Sequence, residues 1–174
     1  MKKILFETIR KYIILIVAVC QLLNTFCTQQ LFHEPSYQNI KSHAEKKKLK
    51  YFMNAGTEKV INTHNTSANE IIKTAQKYLG VPHCMGGTSM RCLDCSGLLV
   101  VVFEKNGIIL PHNSEEQARY GRIIAAKDEL RKGDLVFFIR SYKTHSLITH
   151  SGIYLGCNKF IQTSSKNGEI FTSL

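Results

Sequence analysis

Near the end of the chain two apolar runs stand only three residues apart, and that spacing limits the fold more than any other feature. Ile148 to Leu155 and Lys159 to Thr163 carry β-branched and aromatic residues and are joined by Gly156-Cys157-Asn158. So short a connection permits an antiparallel hairpin, because parallel neighbours need a crossover of a dozen residues or more. Leu135 to Ile139 reads as a strand before the hairpin. Glu169 to Thr172 reads as another after it, entered through a turn at Lys166-Asn167-Gly168. Upstream the texture is helical: Ile71, Ile72, Ala75, Tyr78 and Leu79 recur at helical spacing, Ser67 or Asn69 suits the N-cap, and Gly80 and Pro82 end the run. Helices first and antiparallel strands afterwards make an α+β domain over residues 66–174. The run Leu98 to Phe103 fits either a buried strand or a helix, since Leu98, Val101 and Val102 share a helical face and Gly107 suits a helix stop.

Two segments precede this domain. Residues 1–27 read as a signal peptide: Lys2, Lys3, Arg10 and Lys11 stand against Glu7, and the uncharged run Tyr12 to Cys20 is too short to cross a bilayer. Val17-Ala18-Val19-Cys20 resembles the box that precedes an acylated cysteine in bacterial lipoproteins, although Val19 is bulky there. Cys27 fits that role less well; a plain signal is the alternative to acylation, and an uncleaved anchor the alternative to a cleaved signal. The expectation is an exported protein of the bacterial cell envelope, periplasmic or attached to the membrane through a lipid on Cys20. Residues 28–65 hold Pro35, five lysines between Lys41 and Lys50, and a polar run from Asn62, which describes a basic polar linker with room for one short helix. The net charge of +10 is spread along the whole chain. That argues against a nucleic-acid arm and suits an anionic partner such as a phosphate-rich wall or a membrane surface.

Six cysteines raise three kinds of chemistry: disulfides, a metal site or a nucleophile. Cys92-Leu93-Asp94-Cys95 is a lone CxxC. Zinc would have to borrow His145 and His150, which, five apart on a strand, face opposite sides of the sheet. A thioredoxin-like redox site needs a βαβ context that the order of elements does not supply. The nucleophile reading is stronger. Cys95 stands where a polar loop turns into a helix, and the free N–H groups of a helix start favour a thiolate. Its base should be a histidine on a rigid element, and His150 opens a strand, whereas His33, His43 and His64 lie in the linker and His83 and His112 in loops. Spacing alone leaves that pairing open.

Ordered motifs carry the assignment further. Ala75 with Tyr78-Leu79-Gly80-Val81-Pro82, Gly86-Gly87-Thr88, Asp94-Cys95-Ser96-Gly97-Leu98, and Gly107-Ile108 with Leu110-Pro111 are followed by Ser114 with Gln117. Leu130 with Gly133 to Phe138, His150 with Gly152 to Gly156, and Phe160-Ile161 complete the series. In this order they resemble the NlpC family of papain-like bacterial cell-wall cysteine peptidases, over residues 68–170. The resemblance implies a papain-like fold, with the nucleophile at the start of a helix packed on an antiparallel sheet. It implies Cys95 as nucleophile, His150 as base and Gln162 as the residue that orients the base. Asp94, Ser96, His83 and Ser114 then face the substrate, Asp94 and Ser96 holding the free amino end of a peptidoglycan stem peptide. The implied reaction is hydrolysis of the γ-D-glutamyl to diamino-acid bond by a monomer, without metal or organic cofactor.

The chain departs from the family pattern at several points. His83 replaces a usual Tyr, His112 a usual Arg, and Gln162 a usual His; Cys84 and Cys92 are additions, and family domains run somewhat past the last strand, so the domain is expected to be short at its C-terminus. Two other functions use the same fold: a wall-binding protein that retains peptides without cleaving them, and a thiol amidase or acyltransferase on another substrate. Cys84 and Cys92 admit three states: a bridge to each other, a bridge from Cys92 to Cys95 that blocks the nucleophile, or free thiols.

Overall fold

The computed structural model describes residues 2–5, 42–124, 129–139, 141, 143–163 and 171–173. The hydrophobic stretch expected to drive export, Cys20, Cys27 and the Lys166-Asn167-Gly168 turn lie outside them. In chain order the elements are β1 (Lys2–Leu5), α1 (His43–Asn54), α2 (Ala68–Gln76), β2 (Thr88–Ser89), β3 (Cys92–Leu93) and α3 (Cys95–Glu104). These are followed by α4 (Ser114–Gln117), β4 (Arg122–Ile123), β5 (Leu135–Ile139), β6 (Ile148–Gly156), β7 (Lys159–Ile161) and β8 (Phe171–Ser173). The large sheet runs β4-β1-β5-β6-β7-β8, and β2 with β3 forms a separate small hairpin.

From β5 onward every pairing is antiparallel, as the short connections require. Gly156 pairs with Lys159, and Cys157 and Asn158 both take positive φ, the left-handed turn whose twist suits a tight hairpin. The β1 backbone runs parallel to both β4 and β5, so the sheet is mixed at that end. Lys2–Leu5 falls in the span read as the basic start of a signal; cleavage of that span removes β1 and leaves β5 at an edge of the sheet.

The ambiguous run is α3. Asp94 caps it, its carboxylate accepting from the Gly97 N–H, and Gly107 ends the following turn with φ +75°. Leu98, Leu99, Val101, Val102 and Phe103 are all buried, as expected of a helix that is apolar all round and enclosed on every side. It packs against β6, and α2 lies beside it, its Ile71 and Ala75 in the same core. Ser67 caps α2 in a capping box with Glu70.

The reading of residues 28–65 as linker needs correction over α1. Leu49 and Phe52 are buried in the main core, and the buried Arg119 guanidinium donates to Phe52 O at 2.7 Å and Gly56 O at 2.8 Å while covering the Phe52 ring. Lys46, Lys47 and Lys50 face outward. The apolar stripe is narrow and embedded in lysines, so the charge run masks a docked helix.

Candidate active site

Cys95 is the first residue of α3, which the Asp94 cap holds at the mouth of the loop 84–92. The loop is closed twice. Cys84 and Cys92 form a disulfide with Cα atoms 5.5 Å apart, and backbone bonds run from Cys84 N to Leu93 O, Gly87 N to Cys84 O and Asp94 N to Gly87 O. Cys95 is left as a free thiol. Of the three cysteine states, the structure adopts the one that staples the loop. Glycine is required at two contacts: a Cβ on Gly97 would stand 1.9 Å from Gly87 O, and one on Gly87 would stand 2.5 Å from Cys92 O. Loop and helix head therefore touch backbone to backbone.

His150 lies in β6 and Gln162 just beyond β7. The hairpin brings them side by side: Ile153 pairs with Ile161, and the His150 Nε2 is hydrogen-bonded to Gln162 Oε1. Because the amide oxygen accepts, that nitrogen carries the hydrogen and the tautomer is set. The Cys95 thiol is the other group that acts on the ring, and each shifts the titration of the other. The Phe138 ring packs on His150 with centroids 5.8 Å apart, and Gly152 leaves room for Phe160 behind it.

The electrostatics favour an ion pair. Burial pushes the Cys95 thiol up, but the hydrogen bond and charge of His150, then the Ser114 hydroxyl, outweigh it against the opposing charge of Asp94; the thiol lies below its ordinary range. Burial pushes His150 down, and the bond and charge of Cys95, followed by Gln162, reverse this, so its range is raised. Each group stabilises the charged form of the other.

The residues expected to face substrate take varied places. Asp94 Oδ1 receives Gly97 N at 2.6 Å and Ser96 Oγ at 2.9 Å, and Oδ2 receives Gly86 N at 2.8 Å. His112 Nε2 spans both oxygens at 3.0 and 3.1 Å. Burial raises the Asp94 carboxyl, and the Gly97, His112, Ser96 and Gly86 bonds together bring it below its ordinary range. Ser96 is buried against that carboxylate. Ser114 opens α4, with Oγ 3.6 Å from Cys95 Sγ. His83 is half-buried and pairs its backbone with Leu93. His145 falls in the bend ahead of β6, so the opposite-face argument against a shared metal did not apply to it as stated.

Three contacts were not expected from the sequence: His112 on Asp94, Gln117 bridging Ser96 O and Pro111 O, and Ser151 Oγ 3.2 Å from Ser114 Oγ. The grouping of Ser114 with Gln117 was a signal for the second; nothing in strand alternation marks Ser151.

Known proteins share this arrangement of elements. A model of the NlpC/P60 family matches residues 80–173. The gamma-DL-glutamyl hydrolase of Bacillus subtilis is 39% identical over 111 residues, covering 63% of this chain and 26% of that protein. The gamma-D-glutamyl-L-lysine dipeptidyl-peptidase of the same organism is 32% identical over 114 residues, covering 64% of this chain and 38% of that one. A Staphylococcus aureus crystal structure, described as similar to lipoprotein and of the NLP/P60 family, superposes with a TM-score of 0.56 at 34% identity, over 62% of this chain and 36% of that one. The chain thus spans well under half the length of these proteins, and the shared part is an α+β, papain-like domain.

Proposed function

The chain belongs to the NlpC/P60 family, and from that premise we propose that it is a cysteine peptidase hydrolysing peptidoglycan stem peptides at the γ-D-glutamyl to diamino-acid bond. The observation that carries this reading is the grouping of Cys95 at the head of α3 with His150 and Gln162, in which His150 is bonded to the Gln162 amide and the thiol and imidazole each favour the charged form of the other. The names of the two Bacillus subtilis relatives, both concerned with γ-linked glutamyl bonds, support the substrate class.

In this mechanism the Cys95 thiolate adds to the amide carbonyl carbon. The oxyanion is held by helix-start N–H groups, that of Cys95 included. Protonated His150 gives its proton to the leaving amine as the C–N bond breaks, leaving a thioester on Cys95. A water then loses a proton to neutral His150 and attacks the thioester, releasing the new acid and restoring the thiolate and imidazolium. Gln162 keeps the imidazole in the tautomer and orientation that both proton transfers need. A substrate amine approaching Asp94 meets His112, the half-exposed partner of that carboxylate.

The basic, then apolar, N-terminal run supports export to the envelope, with Cys20 as the residue for a lipid anchor. The deciding experiment is digestion of purified peptidoglycan with product masses, using Cys95→Ser as the control. Parent protein is expected to release fragments cut at the γ-D-glutamyl bond, and the variant to lose at least about 10³-fold in rate. Binding of wall peptides with no release by the parent would point to the non-cleaving protein, and release by the Cys95→Ser variant would remove the thiol mechanism.

A further inference from the structure

We propose that Ser114 and Ser151 form a hydroxyl chain that donates to the Cys95 thiolate, Ser114 as a catalytic residue touching the reacting sulfur and Ser151 as the residue that positions it. The inference rests on the reading of Cys95 as nucleophile. Ser114 Oγ is 3.6 Å from Cys95 Sγ and 3.2 Å from Ser151 Oγ. Once the sulfur is a thiolate it only accepts, so the Ser114 hydroxyl must point its proton at it. That rotamer turns the Ser114 lone pairs to Ser151, whose fully buried hydroxyl then donates. The direction of the whole chain follows from the sulfur's charge, and each donor polarises the next.

The helix carrying Ser114 is fastened to both elements of the site. The fully buried Gln117 donates to Ser96 O at 2.9 Å, at the head of α3, and to Pro111 O at 2.8 Å. Glu115 Oε2 accepts from Leu147 N at 2.5 Å and Ile148 N at 3.2 Å, at the entrance of β6. Asn113 caps α4 through Glu116 N. Ser114 is therefore held between the helix of Cys95 and the strand of His150 and Ser151, and no reorganisation is needed when charge develops on sulfur. The titratable groups around the thiol are His150 from β6, Asp94 from the cap of α3, His112 facing Asp94 from the loop before α4, and Glu115, which is turned to the β6 amides. The Ser114 bond works in the direction that favours the thiolate, against Asp94.

This role differs from contact with substrate, and a small reagent separates the two. Cys95 alkylation by iodoacetamide is followed against pH by the mass of its peptide, which keeps exposed Cys157 apart. In Ser114→Ala the thiolate limb is expected to move upward by about half to one pH unit, so labelling on its acidic side falls about 3- to 10-fold. Ser151→Ala is expected to move it the same way by less, Ser114→Thr, which keeps a hydroxyl, to move it less than Ser114→Ala does, and kcat/KM to follow the same displacement. Limbs that superpose on the parent would overturn the proposal, whether turnover is unchanged, KM alone rises or only the melting temperature falls. A parent Cys95 that resists alkylation at every pH would overturn the nucleophile reading with it.

Discussion

The imidazole of His150 has two neighbours of different kinds, a thiol that titrates and an amide that does not. Gln162 is neutral, so it orients the ring without adding charge stabilisation to the imidazolium. Gln162→Ala is expected to lower kcat by about 10- to 100-fold, less than loss of Cys95, while Gln162→His retains activity. An alanine variant as active as the parent would reduce the site to a dyad. The pH profile follows from the two displaced groups. Cys95 is lowered and His150 raised, and both shifts favour the ion pair. kcat/KM should therefore rise with pH through a limb below the ordinary thiol range and fall through one above the ordinary histidine range, both limbs belonging to the pair. A single limb in the ordinary histidine range, with no second titration, would contradict the ion pair. At this scale the sequence was informative where geometry was local: a short hairpin connection brings Gln162, just past β7, beside His150 on β6. It was silent on Ser151, because strand alternation assigns adjacent residues to opposite faces and says nothing of a hydroxyl reached from another helix.

Among the elements, α1 and α3 show opposite limits of pattern reading. A continuous apolar run is compatible with strand or helix, and α3 is decided by its ends, where the Asp94 carboxylate meets the Gly97 N–H and Gly107 adopts a positive φ. The helix α1 was obscured by its lysines, although Leu49 and Phe52 are three residues apart on one face and buried. Removing the Phe52 ring leaves a cavity under Arg119, whose guanidinium is tied to the α1 backbone. Phe52→Ala is expected to cost about 3–5 kcal/mol in chemical denaturation. A loss below about 1 kcal/mol would mean that α1 contributes little to the packed body, as its linker reading had it. The active-site residues lie elsewhere, so the folded fraction of the variant should keep parent-like Cys95 labelling.

For the whole molecule, the choice among three cysteines and the meeting of His112 with Asp94 were beyond the sequence, since both depend on how a loop closes over a helix head rather than on spacing along the chain. Export makes a separate prediction. Protein recovered from the envelope should lack Met1 to about Val19 by intact mass, and, if lipid-anchored, Cys20→Ser should move it from the membrane to the soluble fraction. Cytosolic protein that keeps Met1 would instead agree with β1 as a permanent strand of the sheet. The contact between Gly97 and the Gly87 carbonyl reaches into protein engineering. Because a Cβ at position 97 has no space beside that carbonyl, loop and helix form one inherited part. A specificity loop transplanted from a relative would have to arrive with the helix head it was shaped against, so recombination boundaries belong outside 84–97, never within it.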